Sequence, residues 1–174
     1  IEDIGMLVLE HQQITLSHYL LDKLIANNTA VITCNETHHP SGLFMSLESN
    51  TLQSERFKAQ IEATEPLKKQ LWQQTVKAKI QNQSAVFKKW NIKNTYLINA
   101  AQNVKSGDTD NDEAKAAAYY WSHLFPDAWQ FFRRRDGPPP NNLLNYGYAI
   151  LRATVARAIA GAGLLATLGI FHRN

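Results

Sequence analysis

Around residue 48 the hydrophobic pattern of this chain changes period, and no β-type run follows the change. Before it, "IGMLVLE" and "AVITC" are short runs of β-branched and aliphatic residues, suited to half-buried strands. Between them "SHYLLDKLIANN" has apolar residues at helical spacing, with Ser17 placed to cap the first turn. The "ETHHPSG" segment carries Pro and Gly punctuation and reads as a loop. After residue 48, "SERFKAQIEATEPLKKQLWQQTVKAKIQNQSAVFKKW" reads as consecutive helices, with Pro66 acceptable in a first turn. "TYLINAAQNV", "EAKAAAYYWSHLF" and "NNLLNYGYAILRATVARAIAGAGLLATL" continue the helical pattern, and "KSGDTDND" and the Pro-rich "RRRDGPPPNN" break it. The expected class is α+β. A partial, small β-rich N-terminal domain over 1–48 precedes an all-α domain over 49–174 that is incomplete at its C-terminus.

The last helical stretch is nearly free of charge, which raises the question of a membrane span. Arg152 and Arg157 interrupt it and leave only Ala158 to Phe171 uncharged, against the roughly 20 apolar residues a spanning helix needs. A buried helix is the expectation, with Gly169 as its left-handed stop and Ile170 packing back on Leu165. The hydrophobic fraction of 44% and charged fraction of 19% are those of a folded, soluble chain. A net charge of +3 permits nucleic-acid binding without arguing for it. Cys34 is the only cysteine, so an intrachain disulfide is excluded and a reducing compartment is expected. The opening "IEDIGMLVLE" has no basic n-region or cleavage site and starts in mid-pattern, so a segment of a longer protein is expected.

Few residues carry candidate chemistry. Glu113 lies three positions after Asp110, and D-x-x-E before an apolar helix is a variant capping box, with Asp108 and Asp112 suiting the same helix end. Glu113 also shares a face with Ala117, Tyr120 and Leu124, and a carboxylate on an inward face must be paired, protonated or bound to a cation. Small residues at Ala116, Ala117 and Ala118 would let another helix come close. His172 stands just past the helix stop. A single imidazole and a carboxylate underdetermine zinc and suit Mg²⁺ or Mn²⁺ better.

Basic residues fall in three groups: Lys68, Lys69, Lys77 and Lys79; Lys88, Lys89 and Lys93; and Arg133, Arg134 and Arg135. Lysine pairs are explained by a solvated helix face, whereas consecutive arginines match phosphate oxygens. His38 and His39 are adjacent in an extended loop and would point apart. There is no Walker loop, GxGxxG, zinc knuckle or nucleophile elbow.

The order of "LVLEHQQITLS", "CNETHHPSG", "VKAKIQNQ", "EAKAAAYYW" and "RRRDGPPPNNLLNYGYAILRATVARAIAGAGLLATLGIFHRN" resembles the CRISPR-associated integrase family of spacer acquisition, the Cas1 family. The wording is most like its type II branch, and the resemblance covers essentially the whole chain. It implies that Glu113 and His172 are catalytic metal ligands, with a further acidic ligand beyond Asn174 and first β-strands before Ile1. It implies Mg²⁺ or Mn²⁺ as cofactor, a homodimer bridged by the small partner Cas2, a prokaryotic cytoplasmic setting, and double-stranded DNA as substrate, from the spacer precursor and the CRISPR repeat. The reaction implied is attack by the 3′-hydroxyl ends of a short duplex on phosphodiesters of the repeat array. Arg133, Arg134, Arg135, Lys77 and Lys79 are then the expected DNA contacts. Two other readings remain open at this point: a non-catalytic DNA-binding scaffold of the same adaptation complex, and a helical protein-interaction domain.

Overall fold

The computed structural model describes residues 2–47, 50–125 and 130–171. These form two compact units, 1–62 with 135–168, and 63–134 with 169–174. The α+β expectation holds, since a small sheet at the N-terminus is followed by helices. The units do not follow the change of texture near residue 48, because two helices beyond it group with the sheet.

In the first unit, β1 (Met6–Leu9) pairs parallel with β2 (Ala30–Cys34), and α1 (His18–Ala26) makes the crossover. The Ser17 hydroxyl accepts from the Leu20 N–H at 3.2 Å, so the expected cap is present. β2 is the central strand, and Val31 and Ile32 are both fully buried. Cys34 is buried at its end, and that burial, with Glu10 adding to it, pushes the thiol above its ordinary range. It is a packing residue rather than a nucleophile.

β3 (Pro40–Phe44) lies in the stretch expected as a loop. It pairs antiparallel with β2, and "PSGLF" has little intrinsic strand preference. Position explains it. Pro40 is the first residue of an outer strand, where no ladder donor is lost. Gly42 faces Thr33, whose hydroxyl occupies the space a Cβ would need. His38 and His39 do diverge: His38 pairs with Glu10, and the His39 ring lies 6.3 Å from that of Tyr146.

The long helix α6 (Asn141–Gly161) packs on β2 and β3. It stops earlier than expected, at Gly163 and not at Gly169. Gly163 has φ +70°, its N–H donates to the Ala160 carbonyl at 2.8 Å, and the Leu164 N–H donates to the Ile159 carbonyl at 3.0 Å. This paired bonding is a Schellman turn. The freed carbonyls of Gly161 and Ala162 are taken by Asn50 Nδ2 and Arg56 Nη1 respectively. Arg56 belongs to α2 (Gln53–Ile61), as does Gln60, one turn on. The Gln60 amide donates to the Leu165 and Leu168 carbonyls at 2.9 and 3.0 Å and accepts from the Leu165 N–H at 2.9 Å. The 161–168 turn is therefore tied down residue by residue. No helix among the described residues is long and apolar enough to cross a membrane.

The second unit is helical: α3 (Glu65–Lys89), α4 (Thr95–Asn103) and α5 (Asp112–Leu124), with a 3₁₀ turn at Ser106–Asp108. Pro66 sits in the first turn of α3, as expected. Trp72, Val76, Ile80 and Phe87 form the buried stripe of α3 and join Leu97, Ala101, Val104 and Ala116 in one core. Ile170 packs on this core, and the Phe171 ring stacks on Trp72 with centroids 4.5 Å apart and an interplanar angle of 1°.

The turn after α6 gives a paired test. Gly163→Ala must place a Cβ at φ +70°, 3.0 Å from the Asn50 side chain. A loss of roughly 1–2 kcal/mol is expected from the left-handed backbone alone. Gly161→Ala meets nothing within 4 Å and ends a helix, so it should be neutral or mildly stabilising. Denaturant melts of the two variants should separate in that order.

Candidate functional site

Glu113 is the second residue of α5, and its position is set by the loop before it. Gly107, Asp108 and Asn111 all have positive φ, which winds residues 107–111 tightly. Gly107 lies against the Lys69 stem, where a Cβ would come within 3.2 Å of Cγ, and the Gln73 amide holds the Val104 carbonyl at 2.6 Å. The loop is thus pressed onto α3 where it begins.

The buried Asp108 carboxylate caps α5. Its two oxygens accept from the Asp112 N–H at 2.8 Å and the Glu113 N–H at 3.1 Å. The capping box expected from Asp110 is not formed. Asp110 points away to Lys105 at 2.8 Å, and that hydrogen bond holds its carboxyl below the usual range. What stability this exposed pair contributes is present above the ordinary carboxylate range and is lost as pH falls through the lowered value. Because the winding of residues 107–111 turns Asp108 back onto the helix start, an acid two residues further away does the capping.

The Glu113 side chain projects toward α3, where the Lys79 ammonium bonds Oε1. Glu113 is 26% exposed and Lys79 46%. Of the three fates open to a half-buried carboxylate, the structure shows pairing. The next turns of α5 face the core as the spacing predicts: Tyr120 and Leu124 pack against it, while Ala116 is the fully buried small residue and Ala117 only half-buried. Tyr120 stacks on Phe87 with ring centroids 5.3 Å apart. The pairs Lys79–Glu113 and Phe87–Tyr120 advance together, so α3 and α5 run side by side in the same sense.

The arginine triplet does not form one fork. Arg133 lies over the Trp121 ring at 5.9 Å and Arg134 over Phe132 at 5.8 Å, while Arg135 belongs to the other compact unit and its carbonyl accepts from Asn145 at 2.6 Å. Lys77 is half-buried on α3. His172 lies outside the described residues. Phe171, its neighbour, stacks on Trp72, which precedes Lys79 by seven residues on nearly the same face of α3, roughly 10 Å along the axis.

Over its full length, residues 1–174, the sequence matches the model of the family described as "CRISPR associated protein Cas1". The chain belongs to the Cas1 family. It is 39% identical over 176 residues to the CRISPR-associated endonuclease Cas1 of Neisseria meningitidis serogroup C (strain 8013), covering 100% of this chain and 57% of that protein. It is 30% identical over 167 residues to a CRISPR-associated endonuclease Cas1 of Saccharolobus solfataricus, covering 92% of this chain and 52% of that one. The chain spans a little over half the length of these curated relatives. Among solved structures its fold is similar to a casposase bound to integration product, with a TM-score of 0.79 and 23% identity over 99% of this chain and 53% of that one. A Cas1 protein from Thermotoga maritima gives a TM-score of 0.70 and 19% identity over 98% of this chain and 58% of that one.

Of the two metal ligands expected in this Cas1 chain, Glu113 lies among the described residues. Glu113 supplies one carboxylate that already attracts a cation. Asp108 has committed both oxygens to backbone N–H groups, and no three His, Cys, Asp or Glu gather among the described residues. A carboxylate with water and phosphate oxygens completing the shell is the habit of Mg²⁺ and Mn²⁺. Sequence reasoning placed Asp108 at this helix end but gave the cap to Asp110, and it missed Lys79 as the counter-ion of Glu113. The first was legible in principle as a buried-type acid after a glycine; the second is a contact across 34 positions with no local signal.

Asp108→Ala should cost about 1–2 kcal/mol through loss of the cap. Asp110→Ala should leave the unfolding midpoint nearly where it was. Equal effects would show that the two acids share the capping role.

Proposed function

We propose that this chain is the catalytic part of a divalent-metal-dependent DNA integrase and endonuclease that inserts new spacer DNA into a CRISPR array. The observation that carries the reading is Glu113, a carboxylate on a helix start fixed by Asp108, in a chain that belongs to the Cas1 family. The names of its relatives point the same way, an endonuclease in one case and a casposase bound to integration product in another. The family likeness supports His172 as the second ligand beside Glu113.

In this reading Glu113 and His172 hold Mg²⁺ or Mn²⁺, with an acidic residue beyond Asn174 completing the protein ligands. When bound, the metal polarises the attacked phosphodiester and stabilises the leaving alkoxide. The chain's own part is positioning. Asp108 fixes the start of α5, and the α3 core holds Ile170 and Phe171. Arg133, Arg134, Arg135, Lys77 and Lys79 neutralise phosphates of a duplex, with little dependence on its base sequence. The working assembly is a homodimer bridged by Cas2; the Cas2 partner, though not the dimer, is supported by the likeness to a partial complex containing Cas1 and Cas2, at a TM-score of 0.55.

In the full-length protein with Mn²⁺, Glu113→Gln or His172→Ala should lower strand nicking and joining by two orders of magnitude or more, roughly the effect of losing one preorganised charge-stabilising group. Circular dichroism should show both variants folded. Activity retained in either removes that residue from the mechanism.

The neutralisation of Glu113 by Lys79 favours a second reading, a DNA-binding scaffold that has lost the chemistry. Under it, duplex binding persists without any metal-dependent turnover. Under both readings, Arg133→Ala should weaken duplex binding evenly across sequences and reduce the slope of log affinity against log salt by about 1. An unchanged slope removes Arg133 from the interface.

A further inference from the structure

Lys79 occupies an unusual place among the cations of the chain. Lys105–Asp110 and Lys115–Asp112 are pairs within one loop or one turn, whereas Lys79 and Glu113 join two helices. Exposed ion pairs form and break at little cost. This one is constrained differently, because its acid is only 26% exposed and sits on a helix whose start is capped by Asp108. The seam between α3 and α5 is closed on the N-terminal side by Gly107 on Lys69 and on the C-terminal side by Phe87 on Tyr120. The fully buried Ala116 keeps the two backbones close between them. The base of the Lys79 stem cannot drift, yet its head has several rotatable bonds, three donors and 46% exposure.

An ammonium and a divalent ion compete for the same carboxylate oxygen, since like charges at that separation repel strongly in a partly desolvated site. An ammonium released from Glu113 stays tethered within a side chain's length of it. We propose that Lys79 is a shared cation: it neutralises Glu113 until a divalent ion takes that carboxylate, and is then free to neutralise a phosphate of the DNA. This deepens the proposed function and rests on Glu113 being a metal ligand. It makes metal and DNA binding mutually reinforcing, because either one relieves Lys79 of a choice between two anions, and such coupling is reciprocal. Lys79 is a positioning residue toward the metal.

The test uses the full-length protein and Mn²⁺ alone, read by electron paramagnetic resonance of the free ion. Lys79→Met removes the competitor and should tighten Mn²⁺ binding by up to roughly fivefold, the range expected for breaking one partly exposed ion pair. Lys79→Gln should do the same, and Lys79→Arg should leave the affinity near that of the natural protein. Unchanged or weaker Mn²⁺ binding in both charge-free variants overturns the proposal, since a purely structural lysine would lower the melting temperature without moving Mn²⁺ affinity. Duplex binding to the natural protein should strengthen when Mn²⁺ is added, and this increment should shrink in Lys79→Met. An increment that is absent in the natural protein or intact in the variant overturns the phosphate half. Glu113→Gln separates the two levels: if it leaves Mn²⁺ affinity untouched, the metal reading itself fails, whatever Lys79 does.

Discussion

One helix organises the described part of the site. Along α3, Trp72, Val76, Ile80 and Phe87 recur at spacings that keep them on one buried stripe, and every other helix of that unit meets this stripe. Lys79 stands on the border of the stripe, between the buried Val76 and Ile80. A cation there reaches a neighbouring helix while its head stays in water, and the half-buried acid it meets is Glu113. The packing of α3 therefore sets the electrostatics of α5. A change in the stripe that rotated α3 by even a fraction of a turn would move the ammonium off the carboxylate.

The parts of the molecule visible in the sequence are those governed by local rules. Ser17 before an apolar helix, Pro66 in a first turn and the period of "EAKAAAYYWSHL" all describe interactions closed within a few residues, and each is found where expected. β3 was not visible because its strand character comes from its partner, through Pro40 and Gly42 on the outer side of β2. The stop of α6 was misplaced among three glycines of similar local merit. Gly163 wins because Asn50, Arg56 and Gln60, more than a hundred positions earlier, receive the carbonyls and amide that the turn exposes.

The same division holds for the site. Glu113 was legible as a carboxylate on an apolar face, since the conflict between charge and face is written in the helical period. Its partner was not, because Lys79 sits in a run of lysines that all look alike in composition. Three consecutive arginines looked like one phosphate fork, but Trp121 and Phe132 each claim one guanidinium face and the third residue leaves for the other unit. Adjacency in sequence does not survive competition from aromatic rings.

The division into units has a consequence for how the protein is built. The chain passes from one unit to the other after residue 62, returns after 134, and crosses again after 168. The sheet unit needs α6, which follows the helices of the other unit in the chain, to cover β2 and β3. A ribosome thus releases the strands long before their cover exists, and that unit becomes complete only after the helices of the other unit have been made. The same interleaving means that a fragment cut from residues 1–62 carries a sheet with one side bare, so neither half can be inherited or engineered as a simple cassette.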